Sequence, residues 1–118
     1  MTDCIRTFFS AWGDPSDESR TEKTRAALTR HFYYADPNAP EPITDLDSYL
    51  GDVKIYGDMM PEGTAEVVSI SEHNGHARAM VAFCKAGVAM QHGQYFADIV
   101  DGKITRLIGF AGLGEPKT

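Results

Sequence analysis

Two strands joined by a tight turn are predicted from residues 93–110, GQYFADIVDGKITRLIGF. β-Branched and aromatic side chains, which favour strands, enrich both arms. They are Tyr95, Phe96, Ile99 and Val100 in the first arm and Ile104, Leu107, Ile108 and Phe110 in the second. Asp101-Gly102 between the arms suits a two-residue turn, because both central positions need positive φ. The stretch therefore predicts the last hairpin of an antiparallel sheet.

The same pattern extends towards the N-terminus of this stretch. Asn74-Gly75 separates two alternating apolar runs and is a strong hairpin signal. Gly93 is a candidate for a β-bulge, because an isolated glycine inside a strand often marks one. The predicted strands run over residues 65–72, 77–85, 88–100 and 103–111. The C-terminal half is therefore predicted to be a meander of four strands.

The N-terminal half predicts helices. Apolar residues at helical spacing favour helices over residues 3–12, 19–31 and 45–56. A short extended segment, residues 32–35, ends at Asp36-Pro37, because the residue before a proline is disfavoured in the helical region. Helices followed by a meander indicate an α+β fold.

Length, charge and cysteine content narrow the class of protein. The 118 residues, 42 % of them hydrophobic, predict one globular domain spanning residues 1–118. The formal net charge is -6, which argues against nucleic acid and anionic membranes as partners. Cys4 and Cys84 form no motif and predict reduced thiols. With no signal peptide or bilayer-spanning run evident, we expect a cytoplasmic protein without membrane contact.

The order of these elements resembles the nuclear transport factor 2-like superfamily, which includes the SnoaL-like and ketosteroid isomerase-like proteins. The resemblance rests on the aromatic helix ending at Gly13-Asp14, on Asp36-Pro37 after the extended segment, and on the last hairpin with its Asp-Gly-Lys-Ile turn at residues 101–104. It implies a curved, mostly antiparallel sheet of cystatin-like shape. N-terminal helices would cover its concave face and leave a cone-shaped cavity that needs no cofactor.

The resemblance also assigns candidate catalytic residues. Ketosteroid isomerase-like proteins place a catalytic aspartate just before a proline, which corresponds to Asp36. A carboxylate at an apolar pocket wall can act as a general base; the alternative is a turn aspartate that caps the loop before Pro37. Tyr34 would share a face with Asp36 and orient it, or else pack with its hydroxyl at the surface. The family's tyrosine donor aligns with Phe8 or Phe9, so steroid isomerisation is not expected.

Strand alternation adds a row of candidate ligand contacts on the third strand of the meander. Met90, His92, Gln94 and Phe96 would share one face and line the cavity. His92 could serve as an acid, base or hydrogen-bond partner, or be a partly exposed strand histidine. Whether Gln94 or Tyr95 supplies the polarising donor is left open by the alignment.

Four further apolar side chains are candidates for the cavity wall, with core packing as the alternative: Trp12, Met59, Met60 and Met80. His73 and His76 would face each other across the Asn74-Gly75 turn, where an adventitious metal could bind. No third ligand has matching spacing, so no metal site is predicted.

The predicted function is therefore the binding of a small apolar or polycyclic molecule. Proton transfer without a cofactor, of the isomerase, cyclase or dehydratase type, would use Asp36 as the base. The alternative is a non-catalytic ligand-binding or protein-docking dimer of the same fold. A homodimer is expected in either case, with Ala97, Ile99 and Leu107 as the predicted contacts between copies.

Overall fold

Three helices precede the four-stranded meander, and a further strand lies between the second and third helices. The computed structural model describes residues 3–59 and 62–114, without the side chains of Tyr56 and Met59. The helices are α1 (Asp3–Ser10), which continues into a 3₁₀ turn (Ala11–Gly13), α2 (Asp17–Ala27) and α3 (Leu46–Met59). The strands are β1 (Leu28–Ala35), β2 (Gly63–His73), β3 (His76–Lys85), β4 (Val88–Val100) and β5 (Lys103–Ala111). No helix in the described ranges is long and apolar enough to cross a membrane.

The sheet is mixed and open, with strand order β1-β5-β4-β3-β2. Three of its pairings, β2 with β3, β3 with β4 and β4 with β5, are antiparallel. β1 lies parallel to β5 at one edge. The predicted α+β class with a mostly antiparallel sheet is therefore confirmed.

Both predicted two-residue turns are present. Asn74 and Gly75 have φ of 51° and 80°, and Asp101 and Gly102 have φ of 51° and 77°. Asparagine, aspartate and glycine tolerate this left-handed region better than other residues, which is why the turns could be located from the sequence. Of the four strands that these turns join, β4 and β5 have the predicted bounds, residues 88–100 and 103–111.

The predicted end of the second helix is wrong. The prediction extended the helix to residue 31, whereas α2 ends at Ala27 and Leu28 is already extended, with φ -107° and ψ 148°. Leu28 pairs with Ile104 of β5, and both side chains are buried. The pairing with a strand 76 positions later decides the structure of residues 28–31, and local helix propensity does not.

The helices cover one face of the sheet, which we call the inner face. Ile5, Phe8 and Phe9 of α1 are 0–1 % exposed and belong to one apolar cluster with Ala97 and Leu107 of the sheet. These two sheet residues are 4 % and 1 % exposed, so the prediction that they contact a second copy of the chain is wrong. Ile99 is partly buried and packs against the same cluster.

The opposite, outer face of the sheet carries exposed apolar side chains. Phe96 and Phe110 are 43 % and 57 % exposed, and their rings pack edge to face at 5.8 Å. Tyr33 also lies on this face, with the Arg106 guanidinium 5.3 Å from the centre of its ring. A contiguous apolar surface of this kind is a feature of binding interfaces.

The turn between α1 and α2 is fixed by Asp14. Its carboxylate accepts from the Ser16 backbone N–H at 3.0 Å and pairs with Lys23 at 2.9 Å. The Ser19 and Lys23 side chains and the Ser16 N–H together hold the pKa of Asp14 well below its usual range. This anchored turn sets the position of the preceding residue pair, Trp12-Gly13, next to the sheet.

Candidate functional site

Tyr34 and Asp36 form the polar centre of the candidate site. They lie two residues apart at the end of β1, so their side chains point to the same side of the sheet. Tyr34 is 2 % exposed, and its hydroxyl donates a hydrogen bond to Asp36 Oδ2. Burial is the main cause that raises the pKa of Tyr34 well above its usual value. The hydroxyl is therefore a permanent donor to the carboxylate at physiological pH.

The other carboxylate oxygen of Asp36 closes the loop that follows. Asp36 Oδ1 accepts from the backbone N–H groups of Asn38 and Ala39, both at 2.8 Å. The predicted loop-capping role of Asp36 is therefore present on Oδ1, and its predicted role as a base stays a prediction. A carboxylate has about four acceptor positions. The three donors among the described residues leave one of these positions, on Oδ2, for another partner.

Two small pockets border this carboxylate. Each has a volume of about 70 Å³, and both are lined by Trp12, Asp36 and Asn38. The first continues along the inner face of the sheet, where its further lining includes Phe83, Gln91, His92, Gly93 and Tyr95. The second continues under α3, where its further lining is Tyr34, Tyr49, Asp52 and Val53. We refer to the two together as the Asp36 pocket.

Trp12 is held in place between these two parts. Its indole Nε1–H donates to the Tyr49 hydroxyl at 3.0 Å, and its ring centre lies 5.5 Å from that of Phe83. Tyr49 is buried, and burial raises the pKa of its hydroxyl well above the usual value, although the hydrogen bond from Trp12 opposes this. The tryptophan ring is thus a rigid wall between α3 and the sheet.

Aromatic rings explain why the Asp36 pocket is small. Phe8 packs against Tyr49 at 5.1 Å between ring centres, and Tyr49 against Tyr34 at 5.0 Å. Phe9 packs against Tyr95 at 4.8 Å. Among the described residues, these rings fill much of the space between the helices and the inner face and leave a small opening beside Asp36.

Larger surface grooves exist among the described residues, and in one of them the charged groups are paired with each other. One, of about 340 Å³, lies beside the Asp14 turn. Its charged groups, Asp14 and Lys23, pair with each other at 2.9 Å. The Asp36 pocket is smaller, yet it brings together groups from three different elements, which is the better indicator of a site.

Comparison with solved structures identifies the architecture. No protein-family model and no curated protein sequence matches the chain. A candidate isomerase of the SnoaL-like family from Agrobacterium tumefaciens superposes with a TM-score of 0.81 at 16 % identity, covering 94 % of this chain and 96 % of the other. The chain has the nuclear transport factor 2-like fold.

Two further structures of this fold agree with that result. A candidate polyketide cyclase from Sinorhizobium meliloti gives a TM-score of 0.70 at 16 % identity, over 92 % of this chain and 94 % of the other. A protein with a ketosteroid isomerase-like fold from Catenulispora acidiphila, in complex with trimethylamine, gives a TM-score of 0.74 at 10 % identity. The match covers 94 % of this chain and 86 % of the other. At these identities the likeness establishes the nuclear transport factor 2-like fold and leaves the chemistry to the residues of this chain.

Within the nuclear transport factor 2-like fold, four of the predicted site residues come together. Asp36, Trp12 and His92 line the first part of the Asp36 pocket, and the Tyr34 hydroxyl donates a hydrogen bond to the Asp36 carboxylate. Tyr34 and Tyr33 point to opposite faces, as predicted. Asp36 borders both parts of the pocket, whereas Tyr34 lines only the second part and His92 only the first. His92 belongs to the same alternating row of β4 as Gln94, and the catalytic roles of all three residues stay predictions.

The predicted ligand row on β4 lies mostly elsewhere. Gln94 pairs with Met80 and Phe110, and Phe96 pairs with Arg78 and Ile108, on the outer face. Met90 is 63 % exposed at a register shift, where Phe83 pairs with Gln91 and Cys84 with Ala89. The prediction that Met80, Met90, Gln94 and Phe96 line the cavity is therefore wrong. It chose the wrong one of the two alternating rows of the strand.

The residues that occupy those places belong to the neighbouring row. Tyr95 is 5 % exposed and lies over Gly109 of β5, where a Cβ would come within 2.4 Å of the Tyr95 ring. A glycine inside a strand signals close approach by another group, and this signal could have selected Tyr95 over Gln94. Gln91 takes the place predicted for Gln94 as the amide in the cavity.

Three predictions concern residues away from the Asp36 pocket. Met60 and the side chain of Met59 lie outside the described residues. His73 and His76 do face each other, with ring centres 6.1 Å apart, and His76 Nδ1 lies 2.7 Å from Asp98 Oδ1. Even so, no group of three or more ligating side chains in residues 3–59 and 62–114 is arranged to hold a metal ion.

Proposed function

We propose that the protein binds a small organic molecule in the Asp36 pocket and moves a proton on it without a cofactor, with Asp36 as the base. The observation that supports this most is the single open acceptor position on Asp36 Oδ2, at the wall of an aromatic pocket. Asp36 would take a proton from a carbon or hydroxyl of the ligand and return it at another atom, as in an isomerase, cyclase or dehydratase.

The surrounding residues fit supporting roles. Tyr34 positions the carboxylate through its hydrogen bond to Oδ2, and the loop N–H groups fix Oδ1. Gln91 lines the same pocket, and its amide can donate a hydrogen bond to a ligand oxygen on which negative charge develops. The similar structures from Agrobacterium and Sinorhizobium, described as a candidate isomerase and a candidate polyketide cyclase, favour this reaction class.

The size of the pocket favours a small reactive group over an enclosed polycycle. A volume of about 70 Å³ in each part corresponds to roughly two water molecules. A ligand would therefore enter with a small end, and any larger portion would remain at the surface near Phe110 and Ala111, which border the first part.

Exchange of carbon-bound protons tests the proposal without knowledge of the natural substrate. The purified protein should speed deuterium exchange, followed by proton NMR in heavy water, for at least one of acetone, acetylacetone, cyclohex-3-enone and acetonyltrimethylammonium. The rate should rise linearly with protein concentration and be unchanged in Asp101→Asn, a substitution in the exposed β4–β5 turn. Exchange no faster than in buffer for all four compounds would reject the catalytic proposal.

The outer face of the sheet supports a second candidate function, a docking dimer. Phe96, Phe110 and Val100 are 43–57 % exposed there, while aromatic rings fill most of the inner cavity. A filled cavity and an open apolar face are what a non-catalytic module of this fold requires. The occupant we propose is a second copy of the chain.

Analytical ultracentrifugation measures the oligomeric state that the docking dimer predicts. At micromolar concentration the wild type should sediment at twice the mass of the chain, and Phe96→Glu should sediment as a monomer because it places a charge in the apolar contact. Ile55→Glu alters a side chain that is equally apolar and 60 % exposed, but lies on α3 in the helical layer; it should remain dimeric. A monomeric wild type would exclude the docking dimer.

A further inference from the structure

Among the described residues that line the Asp36 pocket, the acidic side chains are Asp36 and Asp52, and none is a lysine or an arginine. Asp36 borders both parts, and Asp52 of α3 borders the second. The chain has 11 lysines and arginines, yet none of them is among the described residues that line either part. His92 is the one basic side chain of this described lining. An anionic ligand group would therefore meet carboxylates without a strong counter-charge, whereas a cation would be attracted.

The walls of the pocket also suit a cation. Trp12, Phe83 and Tyr95 line the first part, and Trp12 is joined by Tyr34 and Tyr49 in the second. The faces of aromatic rings carry partial negative charge and attract ammonium groups within about 6 Å of the ring centre, most strongly for tryptophan. A carboxylate at the end of an aromatic enclosure binds an organic cation by two additive interactions, one electrostatic and one with the rings.

The size of each part selects among cations. About 70 Å³ is too large for a bare metal ion to contact the rings and too small for a polycyclic amine. A lysine- or methylammonium-sized head fits within one part, and the additional methyl groups of a methylated derivative would extend towards the mouth of the pocket. Their methyl groups contact rings, while an N–H, where one is present, can use the open acceptor position on Asp36 Oδ2.

We infer that the group entering the Asp36 pocket is a small organic cation, an alkylammonium or methylated ammonium head, held by Asp36 against Trp12 and Phe83. This inference rests on the proposed function in that it names the ligand class of the same pocket. It adds a requirement for positive charge, which the proton-transfer proposal does not make.

The only tryptophan of the chain reports on this site. Trp12 is a lining residue, so its fluorescence senses occupancy of the pocket. The probe is tetramethylammonium chloride, titrated at constant ionic strength with sodium chloride at about pH 8, above the usual titration range of histidine. The neutral probe of similar shape is tert-butanol. We expect a saturable fluorescence change with tetramethylammonium and binding about tenfold or more weaker with tert-butanol, as the loss of a charge interaction implies.

Variants locate the bound cation. Asp36→Asn keeps the shape and removes the charge, and should weaken tetramethylammonium binding about tenfold or more. Phe83→Leu removes a ring and keeps an apolar side chain of similar reach, and should also weaken it; this variant serves if Asp36→Asn does not fold. Asp101→Asn removes an equal charge from the distant, exposed turn and should bind as the wild type does.

The outcomes separate this inference from the proposed function. If tert-butanol or acetone gives a saturable change and tetramethylammonium does not, the cation inference is wrong and a neutral ligand remains. Tetramethylammonium binding that is equal in the wild type, Asp36→Asn and Phe83→Leu would also overturn the inference, since the cation would then lie elsewhere. If no probe binds, the inference is overturned, while deuterium exchange still decides the proton-transfer proposal.

Discussion

Asp36→Asn should lower the rate of proton exchange by about 10²- to 10⁴-fold, the usual contribution of a general base. The amide has nearly the shape of the carboxylate, and its oxygen can still accept from the Asn38 and Ala39 N–H groups that close the loop. The Tyr34 hydroxyl can accept from the new amide N–H in place of donating. The fold should therefore survive while the proton acceptor is lost, as exchange rates and circular dichroism on the same samples would show.

A matched pair of tyrosine variants controls this result. Tyr34→Phe removes the donor to Asp36 Oδ2, and Tyr33→Phe removes the same hydroxyl from the adjacent residue on the outer face. As a positioning residue, Tyr34 should lower the rate of exchange when it is replaced, because its hydrogen bond holds the Asp36 carboxylate in place. Tyr33→Phe should leave the rate unchanged. An Asp36→Asn variant as active as the wild type would show that another group is the base.

Phe8→Ala should lower the free energy of unfolding by about 3–5 kcal/mol, the range for a buried phenylalanine. Phe8 is fully buried, and its ring contacts those of Phe9, Tyr34 and Tyr49 at 5.0–6.1 Å between centres. The substitution would leave a cavity at the point where α1, α3 and β1 meet. Urea denaturation followed by circular dichroism measures the loss.

An exposed apolar residue provides the comparison for this core substitution. Ile55→Ala, on the solvent side of α3, should change stability by no more than about 0.5 kcal/mol. If Phe8→Ala cost no more than Ile55→Ala, the aromatic cluster could not be the structural support of the Asp36 pocket. A large difference would place the pocket on a rigid base, as positioning of a catalytic group requires.

Local chemistry decided which features could be predicted from the sequence. The turns at Asn74-Gly75 and Asp101-Gly102 were predictable because their residues tolerate positive φ and few others do. Asp36 could be selected as a candidate because a proline follows it and because the element order resembled a known family. The extended structure of residues 28–31 could not be found in this way, since it depends on parallel pairing with β5.

The sequence also could not show which face of β4 meets the helices. Alternation divides the strand correctly into two rows, one with Gln94 and Phe96 and one with Tyr95 and Ala97. Both rows contain apolar and polar residues, so composition does not decide which row meets the helices, and a choice shifted by one residue inverts every assignment. The volume of the pocket was likewise unpredictable, because it depends on how rings from α1, α3 and β1 pack together.

The bare backbone at Gly109 makes the capacity of the cavity adjustable in evolution. The ring of Tyr95 occupies the space that any side chain at position 109 would need. A larger residue there is tolerated only together with a smaller one at position 95, and such an exchange would reshape the floor of the pocket. Substitutions at positions 95 and 109 would therefore change the volume of the pocket while Asp36 and its hydrogen bond from Tyr34 are kept.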